Sequence, residues 1–232
     1  MRSCQPHARK PRVLTLTLQI FSDNVCPWCF VGKRNLETAM KQFAAREPST
    51  QSPSVFDVRW KPFFLNIEAP ETSELPITEY LEKKYGKGAG SRMAASLAMA
   101  GEATGIRFNN DRKVHNTIRS HRLVRFADGQ GKGGEMIDQL FHAYFEQGRN
   151  IADVDVLLEL AEKAGVECTK DYLEGKEGQQ EVISEYKQGI HNHGISGVPY
   201  FIVSREGSKA TVPLSGGQPP AAFVEAFEAL SS

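Results

Sequence analysis

Ser22-Asp23-Asn24-Val25-Cys26-Pro27-Trp28-Cys29-Phe30 joins a strand-like run to a helix-like run, and the fold is read outward from it. Before it, Val13-Leu14-Thr15-Leu16-Thr17-Leu18-Gln19-Ile20-Phe21 alternates aliphatic and polar residues. That alternation, with its Val, Ile and Thr content, predicts a half-buried strand. After it, Phe30, Leu36, Met40 and Phe43 recur at helical spacing, with Lys33, Arg34, Glu37 and Lys41 on the intervening positions. Two cysteines, two residues apart, therefore sit where a strand hands over to a helix.

This placement has chemical consequences. Proline is favoured at the first helical position, so Pro27 makes Cys26 the expected N-cap. The Cys26 sulfur then faces the unpaired N–H groups of the first turn, and these together with the helix dipole favour a thiolate over a thiol. Cys29, one turn on, is expected to lie deeper and within reach of Cys26. A thiolate in front and a resolving thiol behind is what disulfide exchange requires. Two other readings of Cys-x-x-Cys stand beside this one. It is half of a zinc site, but only Cys4 and Cys168 remain as thiols, and His191 and His193 show no paired spacing with them. Both cysteines could also be inert core residues. The strand-then-helix setting favours the redox pair, with no metal site expected.

Composition narrows the partners. The 232 residues suit one large domain or two small ones. Hydrophobic residues at 40% and charged residues at 24% are ordinary for a globular protein. Lys plus Arg equals Asp plus Glu at 28 each, so nothing points to nucleic acid or an anionic membrane as partner. Four cysteines in this length do not make a disulfide scaffold. Residues 1–12 are basic and acid-free and are read as a disordered tail, although a remnant of an organelle-targeting sequence fits the same composition. No stretch is apolar and long enough to span a membrane. The expected location is the cytoplasm, where a Cys26–Cys29 pair rests mostly as a dithiol.

Along the chain, the first helix is expected to end near Arg46, followed by a loop over 48–54 and a second strand over 55–63, giving a parallel βαβ unit. From about Ile77 to His193 the pattern is helical, with segments at 77–86, 91–104, 117–127, 136–145, 154–164 and 181–191. Gly129-Gln130-Gly131-Lys132-Gly133-Gly134 lacks a phosphate-loop ending and dinucleotide spacing, and reads as a helix–helix loop. Strand signals return at 198–203 and 211–214, and 219–230 closes the chain as an amphipathic helix. The order is β-α-β, a helical block, then β-β-α: an α/β fold with an inserted all-helical domain. The expected boundaries are 13–66 with 194–232 for the αβ domain and 67–193 for the insertion. Pro199 heads a strand, as a strand-opening proline or as a cis proline in a turn.

Taken together, a strand, Cys26-Pro27-Trp28-Cys29 opening a helix, a helical insertion and Gly197-Val198-Pro199 opening a hairpin resemble the DsbA-like branch of the thioredoxin superfamily. Ser22 to Arg34 is similar to the FrnE-like disulfide oxidoreductases. Asn116-Thr117 with His121-Arg122-Leu123, Gly194 to Phe201, and Ser215-Gly216-Gly217-Gln218-Pro219 match further family patterns. The resemblance covers roughly residues 13–230. It implies a thioredoxin-like fold, a redox-active disulfide Cys26–Cys29, and a cis Pro199 facing that pair. It also implies substrate contacts at Pro27, Trp28, Pro199 and the backbone of Val198, where an extended segment adds as a strand. The helical insertion, about residues 67–190, would then form a wall or lid over the site. The implied activity is thiol–disulfide exchange with protein or small-molecule substrates. No tightly bound cofactor is implied, and glutathione is a candidate thiol partner. Kappa-class glutathione transferases and 2-hydroxychromene-2-carboxylate isomerases share the architecture but typically carry serine where Cys26 stands. A glutathione-dependent transferase or isomerase is therefore the alternative activity. His115, His121 and His142 read as structural histidines, with His121 the one that its family-matching segment brings nearest the site. Nothing in the sequence sets the oligomeric state.

Overall fold

The computed structural model describes residues 13–46 and 54–231. The expected tail at 1–12, with Cys4, and most of the loop expected at 48–54 lie outside the described residues.

β1 (Thr15–Ser22) leads into α1 (Pro27–Arg46), and β2 (Val55–Pro62) follows. β2 pairs parallel to β1, from Thr15 opposite Val55 to Ser22 opposite Pro62. Helices α2 (Ile77–Tyr85), α3 (Ala89–Thr104), α4 (Ile118–Asp128), α5 (Gly133–Phe141), α6 (Val154–Lys163), α7 (Lys170–Glu174) and α8 (Gln179–His193) come next. The chain then returns to the sheet as β3 (Tyr200–Arg205) and β4 (Thr211–Ser215) and ends in α9 (Pro220–Ser231). The strand order is β2-β1-β3-β4, with β3 antiparallel to β1 and to β4. This is a thioredoxin-like β-α-β plus β-β-α frame with helices inserted between its halves.

The pattern of β1 explains its place at the centre. Leu16, Leu18 and Ile20 are fully buried on one face, while Thr15, Thr17 and Gln19 are half-buried on the other. At its C-terminal end both faces close: Phe21 and Ser22 are buried as well. Phe21 is covered by α8, where Gly189 lets the helix approach. A Cβ at Gly189 would lie 2.5 Å from Phe21 Cε1. Gly32 does the same for α1, since a Cβ there would sit 3.0 Å from the Phe201 ring and 3.2 Å from Pro199 Cγ. Both close approaches press a helix onto the end of the sheet that carries the cysteines.

The helical segment shares one core with the sheet. Leu16, Leu18 and Ile20 of β1 belong to the same buried cluster as Leu123, Leu140 and Phe145. Phe30 of α1 joins the two parts, with its ring 5.1 Å from Phe141 and 5.8 Å from Phe145. Burying one such ring contributes about 1.5–3 kcal/mol, and each ring pair adds about 0.5–1.5 kcal/mol. The insertion is therefore fixed against the frame by apolar packing.

Four details differ from the sequence reading. The segment expected as one helix at 136–145 begins at Gly133 and finishes in a π-helical turn, His142–Glu146. Gly133 and Gly134 thus open α5 and are not part of the loop. α7 has five residues, too few to show a helical period, and is capped by the Thr169 hydroxyl accepting from Tyr172 N–H. β3 starts at Tyr200 and not at Val198, since Pro199 has no N–H to give to a ladder. Lys33, placed by the pattern on the polar face of α1, is buried between Glu37 and Asp138, with 2.6 Å to the latter.

Candidate active site

Cys26 and Cys29 lie at the junction the sequence predicts. Cys26 N–H donates to Asp23 O at 2.9 Å, which closes the turn from β1, and Cys29 N–H donates to Cys26 O at 3.0 Å in the first turn of α1. Both thiols are free. Cys29 is 1% exposed, and Cys26, expected in front, is itself only 4% exposed. What covers Cys26 is the segment before β3: Sγ lies 3.5 Å from Val198 O. The Val198–Pro199 peptide bond is cis. Pro199 O accepts from Gly216 N–H at 2.8 Å, which ties this segment to the end of β4.

Cys26 reaches a cavity. A cavity of about 240 Å³ is lined by Cys26, Pro27, Trp28 and Val198, with Leu65, Met93 and Leu97 among its apolar walls. Cys29 does not line it. Burial pushes the Cys29 thiol well above its ordinary pKa, and the hydrogen bond and charge of Cys26 push it further. The nearby Ser22 hydroxyl and Asp23 backbone offset part of this. A thiol held in that way stays protonated near neutral pH.

Behind the cysteines, α4 fixes the turn. Asp23, buried at 1% exposure, accepts Leu65 N–H at 2.7 Å through Oδ2, and its Oδ1 lies 3.5 Å from His121 Nε2. The same His121 nitrogen lies 3.1 Å from Phe63 O. Asn24 Nδ2–H donates to Ser120 Oγ at 2.9 Å, and Ser120 Oγ–H donates to Thr117 O at 3.0 Å. Asn116 Nδ2 donates to Ile67 O and Ala69 O, both at 2.9 Å, holding the loop that brings Leu65 and Ala69 to the cavity wall. His121 thus acts on the turn and does not reach the sulfurs. His142 is half exposed and pairs with Glu146, away from the cysteines. His115 lines the cavity, and burial, aided by the charge of Lys113, lowers its pKa.

Sequence reasoning gave Asp23 no role of its own. An acid three residues before the first cysteine, at the end of a buried strand, was the available signal. Arg112 and Tyr144 also line the cavity and were not singled out, because one lies in a loop and the other reads as a helix-core residue. Among the described residues, no group of three or more His, Cys, Asp or Glu side chains is placed to hold a metal ion. Cys168 stands apart in the α6–α7 connection, its thiol raised by burial.

The DSBA-like thioredoxin domain family matches residues 17–228. This chain belongs to that family. The DSBA-like chain is 29% identical over 192 residues to the protein YwbO of Bacillus subtilis, covering 82% of this chain and 88% of that one. A probable DsbA oxidoreductase from Streptomyces coelicolor is 26% identical with a TM-score of 0.81, covering 93% of this chain and 90% of that one. The cytosolic disulfide reductase DsbM from Pseudomonas aeruginosa, solved with GSH, has the same fold at 22% identity. Its TM-score is 0.58, with 92% of this chain and 100% of that one covered. Among the described residues, no helix of the DSBA-like chain is long and apolar enough to cross a membrane.

Proposed function

We propose that this DSBA-like chain is a thiol–disulfide oxidoreductase in which Cys26 attacks and Cys29 resolves. The observation that carries the reading is the asymmetry of the pair. Cys26 lines the cavity and touches Val198 O, whereas Cys29 is sealed behind it with a raised pKa.

The Cys26 thiolate attacks one sulfur of a substrate disulfide. A Cys26–substrate S–S bond forms, the substrate's own S–S bond breaks, and one half leaves as a thiolate that takes up a proton. Cys29 then loses its proton and attacks Cys26 Sγ. The Cys26–Cys29 disulfide forms and the second half leaves, so two electrons have passed from the protein dithiol to the substrate. Two equivalents of a thiol such as glutathione return the pair to the dithiol; run backwards, the same steps oxidise a substrate dithiol. Pro27 and Trp28 flank the attacking sulfur, and Val198, held by the cis bond to Pro199, offers backbone to the bound segment. The family membership and the disulfide-reductase neighbour support thiol and disulfide substrates, and a cytosolic setting fits that neighbour.

The test is a pair of variants in a disulfide-reduction assay. Cys26→Ser abolishes turnover, and Cys29→Ser accumulates mixed disulfides visible by mass spectrometry. Full activity in Cys26→Ser overturns the assignment. The apolar cavity beside Cys26 favours a second reading, a glutathione-dependent transferase or isomerase; its activity would survive Cys29→Ser.

A further inference from the structure

The cavity beside Cys26 is lined by a buried cation, Arg112, with part of its guanidinium unpartnered. Arg112 is 4% exposed, and its Nε and Nη1 have no hydrogen-bond partner among the described residues. The guanidinium carbon sits 5.2 Å from the Phe145 ring centre, 5.7 Å from Phe108 and 5.9 Å from Tyr144. These rings accept the cation against their faces, and Tyr144 also meets the guanidinium in a hydrogen bond, but Nε and Nη1 are left unanswered. His115, 5% exposed, has an unpartnered Nδ1 and lines the same cavity. An arginine stays charged at any physiological pH, so the desolvation of Arg112 is not relieved by loss of its proton.

The surroundings hold Arg112 in place. Its carbonyl accepts Ile77 N–H at 2.8 Å, Val114 N–H donates to Leu75 O at 3.1 Å, and Tyr144 Oη–H donates to Lys113 O at 2.8 Å. The backbone that carries Arg112 is thus tied to the start of α2 and to the π-helical turn. The charge of the cavity is one-sided: Arg112 and Lys84 line it, and no Asp or Glu does among the described residues. The rest of the wall is largely apolar, including Leu65, Leu81, Met93 and Leu97. Buried polar groups in native folds are paired, and a buried guanidinium calls for a planar anion that accepts two N–H bonds.

We propose that this cavity binds small molecules with an apolar, aromatic-sized body and a carboxylate, the carboxylate seated on Arg112 and the body against Leu97 and Met93. A sulfur on such a ligand would face Cys26, so the substrate class becomes small disulfides of this kind. That the ligand is a substrate rests on the disulfide-exchange reading; that the cavity binds it does not.

The experiment separates the two. The wild-type protein is titrated by calorimetry with naphthoate and, as the uncharged control of the same shape, naphthamide. The carboxylate binds about tenfold tighter or more, the scale of one charge-assisted hydrogen bond. Arg112→Met removes that preference. Equal affinity for the two in the wild-type protein overturns the proposal, as does failure of both to bind or a preference that persists in Arg112→Met. The comparison in the wild-type protein stands even if the variant does not fold. On the same sample, reduction of dithiobis-nitrobenzoate is compared with that of neutral dithiodipyridine, each relative to its uncatalysed rate with dithiothreitol. Selective acceleration of the carboxylate disulfide supports the substrate class. A binding preference without acceleration of either disulfide upholds the site and overturns the exchange reading.

Discussion

Cys26 Sγ and Val198 O lie 3.5 Å apart although 172 residues separate them in sequence. The contact places the Cys26 sulfur between the first turn of α1 and the segment that opens β3, at the wall of the cavity. Cys29 is buried and its thiol is held protonated. Alkylation at neutral pH therefore separates the two. With iodoacetamide under native conditions, Cys26 is modified at least about tenfold faster than Cys29, since the thiolate is the reactive form. Fragment-ion mapping of the shared peptide reads this directly. Equal labelling of both sulfurs would contradict the assignment of roles.

The turn behind the cysteines depends on one carboxylate. Asp23→Ala strands Leu65 N–H, which Asp23 Oδ2 accepts at 2.7 Å, and removes the carboxylate beside His121. The stranded amide alone costs about 1–3 kcal/mol of stability. Asp23→Asn keeps an acceptor for Leu65 and loses less. Urea unfolding of the two variants gives the order; an alanine variant as stable as the wild type would show that the turn does not need this acceptor.

Gly189 is the point where α8 meets the sheet. Alanine there gains up to about 1 kcal/mol in helix propensity, but its Cβ would stand 2.5 Å from Phe21 Cε1, and overpacking costs about 1–3 kcal/mol. The net effect of Gly189→Ala is destabilising. Phe21→Leu in the same chain recovers part of the loss, a coupling between neighbours that thermal unfolding of the single and double variants measures. Strict additivity would place the strain elsewhere.

Lys33 holds Glu37 in its charged form. Burial alone would raise the Glu37 carboxyl; the hydrogen bond and charge of Lys33, with Arg34, outweigh it and leave the pKa below the ordinary value. A depressed carboxyl binds fewer protons folded than unfolded. Its contribution is present above the unfolded value of about 4.3 and is lost as pH falls through the folded one. Lys33→Met removes that contribution, so stability falls less steeply with acid below about pH 4.3 than in the wild-type protein. Parallel unfolding curves from neutral to acid pH decide it, and an unchanged slope counts against the pair.

How much of this was legible in the sequence depends on which side chains declare themselves. The period-two run of Leu16, Leu18 and Ile20, Pro27 at the helix start and the apolar spacing of α1 place both cysteines, because backbone pattern alone sets them there. The parallel β1–β2 pairing follows from the intervening helix. Charged residues are a different case. Lys33 and Arg112 are buried, and periodicity assigns charge to the surface; only the tertiary partners Asp138, Phe108 and Phe145 reveal why they are inside. Asn24 and Ser120 meet across 96 residues, a distance no local pattern encodes. The family-matching segment around His121 signalled that α4 matters, but not that it acts on Asp23 and not on sulfur.

The resolving step should carry the pH dependence of turnover. Burial is the largest cause raising the Cys29 thiol; the other two raising causes come from Cys26, whose free thiol is gone once a mixed disulfide has formed. Where that burial persists in the intermediate, Cys29 remains a protonated thiol at neutral pH. An acid whose pKa lies above the working pH yields about tenfold more anion for each pH unit gained. The decay of the Cys26 mixed disulfide therefore accelerates about tenfold per unit from neutral pH and does not level off until beyond the ordinary thiol value of about 8.5. Stopped-flow release of the second thionitrobenzoate from the mixed disulfide of Cys26 follows this step alone. A rate that is flat above pH 7 would mean that Cys29 is already a thiolate in the intermediate, and that the desolvation sealing it behind Cys26 is relieved when substrate binds.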